Sequence, residues 1–457
     1  MDSKVGIVIC NYNKQDYIVP CIQSVLNSSM QDLAVYVVDN ASTDESVSLI
    51  RDQFGDRVML LENKENLGGS GGFNTGVKEA LKRGHSYIML MDNDIIADKK
   101  AVEELYYFLE QHPEVGMVGS KVYFMDEPEH IWGYGGTIDF TEFKQKDSYK
   151  NFTDGDSVPE VEYCDYVAAC SLMARTEAIQ KVGLMPEDNF IYWDDMEWGW
   201  RFNQAGYRVA VCGKSRIWHK AGGRNAGNTF IHYYMWRNRI HFFMNILPEE
   251  QKEHFADTIL TEMFRMIYSV NLKGEVNIVR TLMYAFDDAV HGVRGKASEG
   301  KILDRPAVSN RVKEAMTGCG SVLIKFNGNY EGLGNIIRSL RGFAKDLRIG
   351  ISPDVQGDCG ETGIVQKTLQ AQYSDCEVCA DYRPENFDRH MIMCEHIFRL
   401  PADAGEDVYI DPWCNIIYSP EDFIYCKSFE QTKELFLLCR KEILLSMKGK
   451  CEYAELE

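Results

Sequence analysis

The first hundred residues alternate between short apolar runs and amphipathic segments, and this alternation constrains the fold more than any other feature. Four strands are predicted by the runs VGIVIC, LAVYVVDN, VMLLEN and YIMLMDND. The intervening segments QDYIVPCIQSVLNS, DESVSLIRDQF and TGVKEALKRG carry apolar residues at helical spacing. Strand–helix alternation of this kind predicts a parallel, doubly wound α/β sheet, whose ligands bind beyond the carboxyl ends of its strands.

Polar or glycine-rich residues follow each of these strands, so they are expected to meet at one edge of the sheet. The segments are CNYN, DNAST, ENLGGSGGFNTG and DND. The glycine-rich segment fits neither a dinucleotide fingerprint, because Asn74 replaces the third glycine, nor a P-loop, because Val77 replaces the lysine. We interpret it as a loop that runs into a helix. A tight turn and a loop that closely approaches a nucleotide sugar are both open from the residues alone.

The chain length predicts more than one domain, because 457 residues exceed what a single core usually holds. We predict an α/β domain over residues 1–240, a helical segment over 241–320 and a smaller carboxyl-terminal α/β domain over 321–457. The last domain contains the strand-like runs SVLIKF, LRIGIS and DVYID. It carries no catalytic constellation, and its role is open.

The charge distribution excludes one class of partner and suggests another. A net charge of −20 argues against nucleic-acid binding. Between Trp198 and Pro248 there is no acidic residue, although eight Lys and Arg residues occur there. Such a segment suits a compact anion such as a diphosphate, and an ordinary basic face is the alternative.

Several features predict a cytoplasmic protein. There is no apolar run of 18 residues and no signal-peptide core, and the 14 cysteines are scattered. The aromatic and basic segment FIHYYMWRNRIHFFMNIL favours a packed core helix over a membrane-facing one, because its charges follow no clean amphipathic pattern. Peripheral contact with the inner face of the membrane and homo-oligomer formation stay open.

A divalent-cation site is predicted at the end of the fourth strand. Asp92-Asn93-Asp94 places two carboxylates one residue apart, where they can hold Mn²⁺ or Mg²⁺ together with phosphate oxygens. A solvated turn is the alternative. His219, which ends an apolar strand, would complete the ligand set, and AGGRNAGNTF after it is predicted to be a lid over a diphosphate.

A second acidic cluster lies between aromatic residues in FIYWDDMEWGWR. Apolar neighbours tend to raise the pKa of a carboxyl group toward values useful in general acid–base catalysis. Asp194, Asp195 and Glu197 are therefore candidate catalytic groups. The alternative is that these acids merely interact with the dipole at a helix amino terminus.

Residues 1 to about 240 resemble glycosyltransferase family 2 proteins with the GT-A fold. The resemblance rests on IVICNYNK, VVDNASTDES, NLGGSGGFNTG, MLMDND, FIYWDDMEWGWR and RIWH, in family order. Within the family the chain most resembles the galactofuranosyltransferases of bacterial cell-wall galactan synthesis, and rhamnosyltransferase-like relatives share much of the pattern. The central DND departs from an all-acid triplet, which puts the metal affinity in doubt.

The resemblance implies metal-dependent, inverting transfer of a sugar, with galactofuranose or rhamnose favoured. The donor would be a UDP- or dTDP-sugar, and the acceptor a hydroxyl of a glycan or lipid-linked glycan in cell-surface polysaccharide synthesis. The rival hypotheses are a non-catalytic nucleotide-sugar-binding protein and a sugar nucleotidyltransferase.

Site residues are assigned by matching position in the family motifs. The catalytic base would be Asp195, and the metal ligands Asp92, Asp94 and His219. Donor binding is assigned to Asn11, Asp39, Asn66, Gly68, Gly69, Asp92 and Asn93. The acceptor side is assigned to Trp132, Trp193, Asp194 and Glu197, and contact with the diphosphate to Lys220 and Arg224.

Overall fold

The structure is a computed structural model that describes residues 3–220, 227–305, 310–353, 359–379, 381–400 and 407–447. The chain divides into two compact units. The first unit contains Met1–Ile259, Thr281–Asp304 and Ile443–Glu457, and the second contains Leu260–Arg280 and Arg305–Glu442. The domain boundaries predicted near residues 240 and 320 stay a prediction.

A large mixed sheet forms the centre of the first unit. Its order is β10-β12-β6-β11-β4-β1-β2-β3, with β5 paired to β12 and β7 to β6, while β8 and β9 form a separate hairpin. Strands β3, β2, β1 and β4 are parallel as predicted, whereas β11 runs antiparallel to both β4 and β6. The strands are β1 Val5–Asn11, β2 Leu33–Asp39, β3 Met59–Glu62, β4 Tyr87–Asp92, β5 Ile95–Ala97, β6 Val115–Phe124, β7 Ile131–Gly133, β8 Gly136–Asp139, β9 Lys144–Asp147, β10 Val161–Cys164, β11 Ser171–Arg175 and β12 Arg208–His219.

Helices cover both faces of this sheet. Alternate residues of β1 supply the two cores: Ile7 and Ile9 pack in the layer that contains α1 and α4, and Val8 packs on the opposite side with α3. The helices that begin in the first unit are α1 Gln15–Leu26, α2 Ser46–Phe54, α3 Gly68–Lys82, α4 Ala101–Gln111, α5 Thr176–Val182, α6 Asp194–Gln204, α7 Phe230–Ile246 and α8 Glu249–Leu272, and α9 Val276–Val290 follows them.

The second unit has its own six-stranded sheet, as the strand-like runs after residue 320 predict. The order is β15-β14-β13-β16-β17-β18, and only the β17–β18 pair is antiparallel. Its elements are α10 Arg311–Ala315, β13 Ser321–Phe326, α11 Tyr330–Phe343, β14 Arg348–Pro353, α12 Cys359–Gln372, β15 Glu377–Val378, β16 Arg389–Met393, β17 Val408–Ile410, β18 Ile416–Ile417, α13 Pro420–Lys427 and α14 Phe429–Leu445.

The aromatic and basic segment after residue 229 forms the packed helix that its irregular charge pattern predicts. Most of α7 is buried, including Tyr233, Trp236 and Phe243. Within the described part of the chain, no helix combines the length and the apolar character needed to cross a membrane.

The glycine-rich segment is a helix, so the prediction of a loop is wrong. Helix α3 begins at Gly68 and includes all five of these glycines. A Cβ atom on Gly76 would lie 2.3 Å from Cγ1 of Val8 and 2.9 Å from Cγ2 of Val38, and one on Gly72 would lie 2.4 Å from Sγ of Cys10. The glycines therefore let the backbone of α3 approach β1 and β2 more closely than any side chain would allow.

This packing predicts that glycines in the same helix differ in their tolerance of alanine. Gly76→Ala should lower the free energy of unfolding by about 1–3 kcal/mol, because the added methyl group overpacks the contact with Val8. In Gly69→Ala the nearest atoms would lie 3.8 and 3.9 Å away, an ordinary contact. This control should leave stability unchanged or raise it by up to about 1 kcal/mol. Chemical denaturation of both variants is the measurement, and equal effects would contradict the packing argument.

Candidate active site

Strand register brings the predicted metal ligands together. Strand β4 ends at Asp92, and β5 begins at Ile95 after a two-residue turn. Strand β12 pairs with β5 so that His219 lies opposite Ile95, next in sequence to Asp94. Consequently, two sequence-distant strand ends place an imidazole beside two carboxylates.

The three side chains form a compact ligand set. His219 Nε2 lies 2.9 Å from Asp94 Oδ1 and 3.5 Å from Asp92 Oδ2. One ligand atom from each residue falls within 4.8 Å of the others. Carboxylate oxygens suit Mn²⁺ and Mg²⁺, and a transition metal also accepts an imidazole nitrogen. The donor set therefore fits a divalent cation.

The two carboxylates differ in acidity. Burial raises the pKa of Asp92 to about 6, although the nearby His219 opposes the rise. Burial also disfavours ionised Asp94, but hydrogen bonds from His219 and Lys14 prevail and hold its pKa low, at about 2. For His219, burial is outweighed by the two carboxylates, and its pKa is raised above 6.5. The imidazolium and Asp94 thus stabilise each other's charge.

Lys14 is a member of this site that the sequence analysis missed. Its Nζ lies 2.7 Å from Oδ2 of Asp94, the oxygen that does not face His219. Lys14 lies in CNYNK, just beyond the carboxyl end of β1. This position could have predicted its role, because the other polar residues at this edge were identified from their places directly after strand ends.

Beside the acidic cluster, a chain of buried polar side chains links three strand ends. Asn11 Nδ2 donates to Asp39 Oδ1 at 3.0 Å, and Asn93 Nδ2 donates to Asn11 Oδ1 at 2.8 Å. The other carboxylate oxygen of Asp39 accepts from the backbone amide of Ser42 at 2.9 Å. The structure therefore brings together three of the predicted donor-binding residues, from β1, β2 and the turn after β4.

The remaining donor-binding candidates lie at the start of α3. Asn40, which the sequence analysis did not assign, shapes this region. Its Nδ2 donates to Asn66 Oδ1 at 3.0 Å and to the Gly68 carbonyl oxygen at 2.8 Å, and its Oδ1 accepts from the Leu67 amide at 3.1 Å. Asn66 Oδ1 also accepts from the Gly68 amide at 2.8 Å. Asn66 thus orders the turn into α3, and Gly69 follows it.

The second acidic cluster begins α6, directly after a turn with unusual backbone geometry. Burial raises the pKa of Asp194 to about 6, and burial together with the neighbouring Asp194 carboxylate raises that of Asp195 to about 8. The backbone amides of Met196, 2.9 Å from Asp195 Oδ1, and of Ala169 act in the opposite direction. Ionised Asp195 is therefore a stronger base than an ordinary aspartate.

A short backbone segment connects the two acidic clusters. The Ala169 amide acts on the Asp195 carboxylate, and the carbonyl oxygen of Cys170 accepts from the Asp92 amide at 3.1 Å. The Asp92 charge also contributes to the raised pKa of Asp194. The metal-ligand candidates and the candidate base thus belong to one electrostatic unit.

Two predicted acceptor-side residues are engaged elsewhere. Trp193 is completely buried and packs against Phe242 and Phe243. Glu197 is 2% exposed and accepts from Arg201 and Asn189. Both side chains thus support the fold around α6 rather than a free surface. Trp132, by contrast, meets the metal-ligand cluster, because its ring contacts the ring of His219 edge-on with the centroids 4.8 Å apart.

In the described part of the chain, the cations of the acid-free segment make several separate contacts, and an anion site there stays a prediction. Lys220 Nζ lies 2.6 Å from the Asp126 carboxylate, while its backbone amide donates to the Asp94 carbonyl oxygen at 3.0 Å. Arg237 and Arg239 are buried and donate to backbone carbonyl groups. Arg224 and most of the predicted lid lie outside the described residues.

Comparisons with known proteins give relatives for the amino-terminal part of the chain. Residues 6–176 match the family described as Glycosyl transferase family 2. An uncharacterized glycosyltransferase of Haemophilus influenzae is 28% identical over 127 residues, which are 27% of this chain and 38% of that protein. The galactofuranosyltransferase GlfT2 of Mycolicibacterium smegmatis is 24% identical over 266 residues, which are 52% of this chain and 40% of that protein.

Among solved structures, the crystal structure of GalNAc-T7 with UDP, GalNAc and Mn²⁺ aligns at a TM-score of 0.45 and 13% identity, covering 56% of this chain and 50% of that one. The chain spans less than half the length of the two curated relatives named above. The family match ends before Asp194, Asp195 and His219.

The ligand geometry predicts how the protein binds metal. Asp94→Asn should weaken Mn²⁺ binding by about tenfold or more in isothermal titration calorimetry, because a charged ligand oxygen is lost. Since protonated His219 cannot bind a cation, wild-type affinity should also rise with pH through the raised pKa of this residue. Asp126→Asn, which removes the partner of Lys220, is the control and should bind normally. Unchanged affinity in Asp94→Asn would exclude this site.

The raised pKa of Asp195 makes a separate prediction about stability. Between pH 4 and about 8 the unfolded chain has lost a proton that the folded protein still holds, so stability falls as pH rises through this window. Asp195→Asn removes this cost. Without added metal, the melting temperature of Asp195→Asn should be higher than that of the wild type by about 5 °C at pH 8.5 and by much less at pH 4.5. Glu187→Gln, which changes an exposed carboxylate, is the control. A pH dependence no larger in Asp195→Asn than in this control would contradict the prediction.

Proposed function

Residues 6–176 match glycosyl transferase family 2, and from this premise we propose that the chain is a metal-dependent, inverting glycosyltransferase. The observation that carries the proposal is the meeting of two acidic clusters at the carboxyl edge of the sheet. One, made of Asp92, Asp94 and His219, has the donor set of a cation site. The other presents Asp195, a carboxylate with a raised pKa. Together they supply what transfer from a nucleotide-diphosphate sugar requires.

The donor lies along the strand ends in this proposal. Its nucleoside contacts Asp39 and Asn11, which Asn93 connects to the metal-ligand turn through a chain of hydrogen bonds. Asn66, Gly68 and Gly69 form the adjoining wall at the start of α3. A divalent cation, when bound, would neutralise charge that develops on the leaving diphosphate.

Asp195 removes the proton from the acceptor hydroxyl. Inversion at the anomeric carbon needs one base on the acceptor side and no covalent sugar–enzyme intermediate, so a single carboxylate suffices. The raised pKa of Asp195 brings its basicity closer to that required near neutral pH. Asp194, which is buried beside it, raises this pKa further through its charge. Trp132, next to His219, is the remaining aromatic candidate for contact with the sugars.

For the donor we propose UDP-galactofuranose or a dTDP-rhamnose-like sugar, with a glycan or lipid-linked glycan as acceptor. The similarity to a galactofuranosyltransferase over 266 residues supports the first choice. Because the identity of that match is low, the dTDP-rhamnose-like donor is kept as the second choice, and one donor panel tests both. We further propose that the protein acts in the cytoplasm on cell-surface polysaccharide precursors.

A donor panel combined with one isosteric variant tests this function. The wild type should transfer the sugar of one donor in a panel of UDP-galactofuranose, dTDP-rhamnose, UDP-galactopyranose, UDP-glucose and UDP-GlcNAc. This activity should be lost in chelator and recovered with Mn²⁺. Asp195→Asn keeps size and hydrogen bonding but cannot accept the proton, so kcat should fall by about 10² to 10⁴ while donor affinity barely changes. Glu187→Gln is the control and should retain normal kcat.

Other results would support the rival functions. Donor binding without transfer or hydrolysis under any condition would favour a nucleotide-sugar-binding protein. Release of pyrophosphate from a nucleoside triphosphate and a sugar phosphate would favour a nucleotidyltransferase. Near-normal turnover in Asp195→Asn would leave the enzyme class intact and remove this residue as its base.

A further inference from the structure

The turn that leads into the candidate base has a backbone that needs external support. Phe190, Tyr192 and Trp193 have φ angles of +68°, +61° and +64°. Bulky residues rarely adopt the left-handed region, since it crowds their Cβ atoms, and such conformations persist only where surrounding contacts hold them. Three of the four residues directly before Asp194 and Asp195 therefore have this unfavourable backbone conformation.

Helix α7 supplies a side chain that holds this turn. Asn238 is 1% exposed, and its Nδ2 lies 2.9 Å from each of three carbonyl oxygens, those of Asn189, Ile191 and Tyr192. An amide group has two hydrogens, so one of them is shared. Because all three partners are carbonyl groups, only a donor at this position satisfies them. A single side chain thus binds two carbonyl groups within the turn and the one directly before it.

The amide of Asn238 is itself fixed in orientation. Its Oδ1 accepts from Nε of Arg237, whose side chain is completely buried. The same guanidinium donates to the carbonyl oxygens of Asn189 at 3.1 Å and of Gly295 at 2.7 Å. Arg237 therefore prevents the amide from rotating and adds a fourth hydrogen bond to the turn.

On its other side, the turn meets the beginning of α3. A Cβ atom on Gly68, whose φ is +77°, would lie 2.0 Å from the Phe190 carbonyl oxygen. The turn therefore lies between the backbone of the proposed donor wall and the buried polar side chains of α7.

We propose that Asn238, oriented by Arg237, is a positioning residue for sugar transfer. It holds the left-handed turn and thereby sets the place of Asp194 and Asp195 at the start of α6. It does not touch substrate. This inference rests on the proposed function, and it adds a residue for which the family resemblance and the comparisons give no role.

An isosteric substitution separates positioning from bulk stability. Asn238→Asp keeps the shape but replaces the donor by a carboxylate facing three carbonyl oxygens. We expect kcat to fall by about 10²-fold, the typical effect of a small misplacement of a catalytic group. UDP affinity should change by less than about twofold, because the nucleoside contacts lie at other strand ends. The pH dependence of kcat should also shift to lower pH, because the Asp195 carboxyl group gains access to solvent.

The matched control is Asn203→Asp. Asn203 also bridges two carbonyl oxygens with its Nδ2, those of Asp165 and Gly199, both at 3.1 Å, and it does not contact the turn. Its kcat and pH profile should match those of the wild type. If Asn238→Asp does not fold, Asn238→Ser, which keeps one donor, takes its place and should show an intermediate loss of kcat.

Hydrogen–deuterium exchange provides a readout that does not depend on activity. Residues 189–197 should exchange faster in the Asn238 variant than in the control, with α4 unchanged. A folded Asn238→Asp protein with kcat within threefold of the control, or with unaltered exchange in this segment, would overturn the inference. If the wild type transfers no sugar, the proposed function fails, and the exchange result still decides whether Asn238 holds the turn.

Discussion

The close contact of helix α3 with strands β1 and β2 is the constraint on which the rest of the site depends. Gly72 and Gly76 remove the side chains that would separate helix from sheet, and Gly68 lets the helix start against the Phe190 carbonyl group. Because α3 is close, its first turn, the ends of β1 and β2 and the turn before α6 share one small region. The glycines thus act first on packing, and any benefit to a ligand is a consequence of that packing.

This closeness concentrates negative charge. Burial raises the pKa values of Asp92, Asp194 and Asp195, so without a cation the edge of the sheet bears a free-energy cost that increases with pH. Lys14 and protonated His219 offset part of it at Asp94. A bound divalent cation would offset the negative charge instead, and it would compete with Lys14 and protonated His219 for the carboxylate oxygens. A cation bound at this edge would therefore relieve a cost that arises mainly because the ionised carboxylates are buried.

The sequence allowed prediction of features that depend on local pattern. Strand–helix order follows from apolar periodicity, and His219 and Asp94 were assigned to one site from their places in the family motifs. It did not reveal that GGSGGF continues as a helix, since only the tertiary contact with Val8 and Val38 stabilises glycine there. The residue pattern made Asp194, Asp195 and Glu197 alike candidates for the base, and the choice of Asp195 rested mainly on its place in the family motif. The hydrogen bond that Glu197 accepts from Arg201 was visible only in the structure.

The acid-free stretch on β12 and α7 shows why a charge count alone does not tell which groups its cations contact. A surplus of arginine suggests an anionic ligand when its partners are assumed to be carboxylates or phosphates. Arg237 and Arg239 instead donate to backbone carbonyl groups. These groups carry no formal charge, so a count of charged residues does not include them. A turn in the left-handed region exposes such carbonyl groups without secondary-structure partners, and the buried guanidinium and amide of α7 satisfy them. In this protein, Arg237 therefore acts on the backbone directly before the turn that leads to Asp194 and Asp195, whereas Arg239 acts on the carbonyl groups of Glu142 and Phe143.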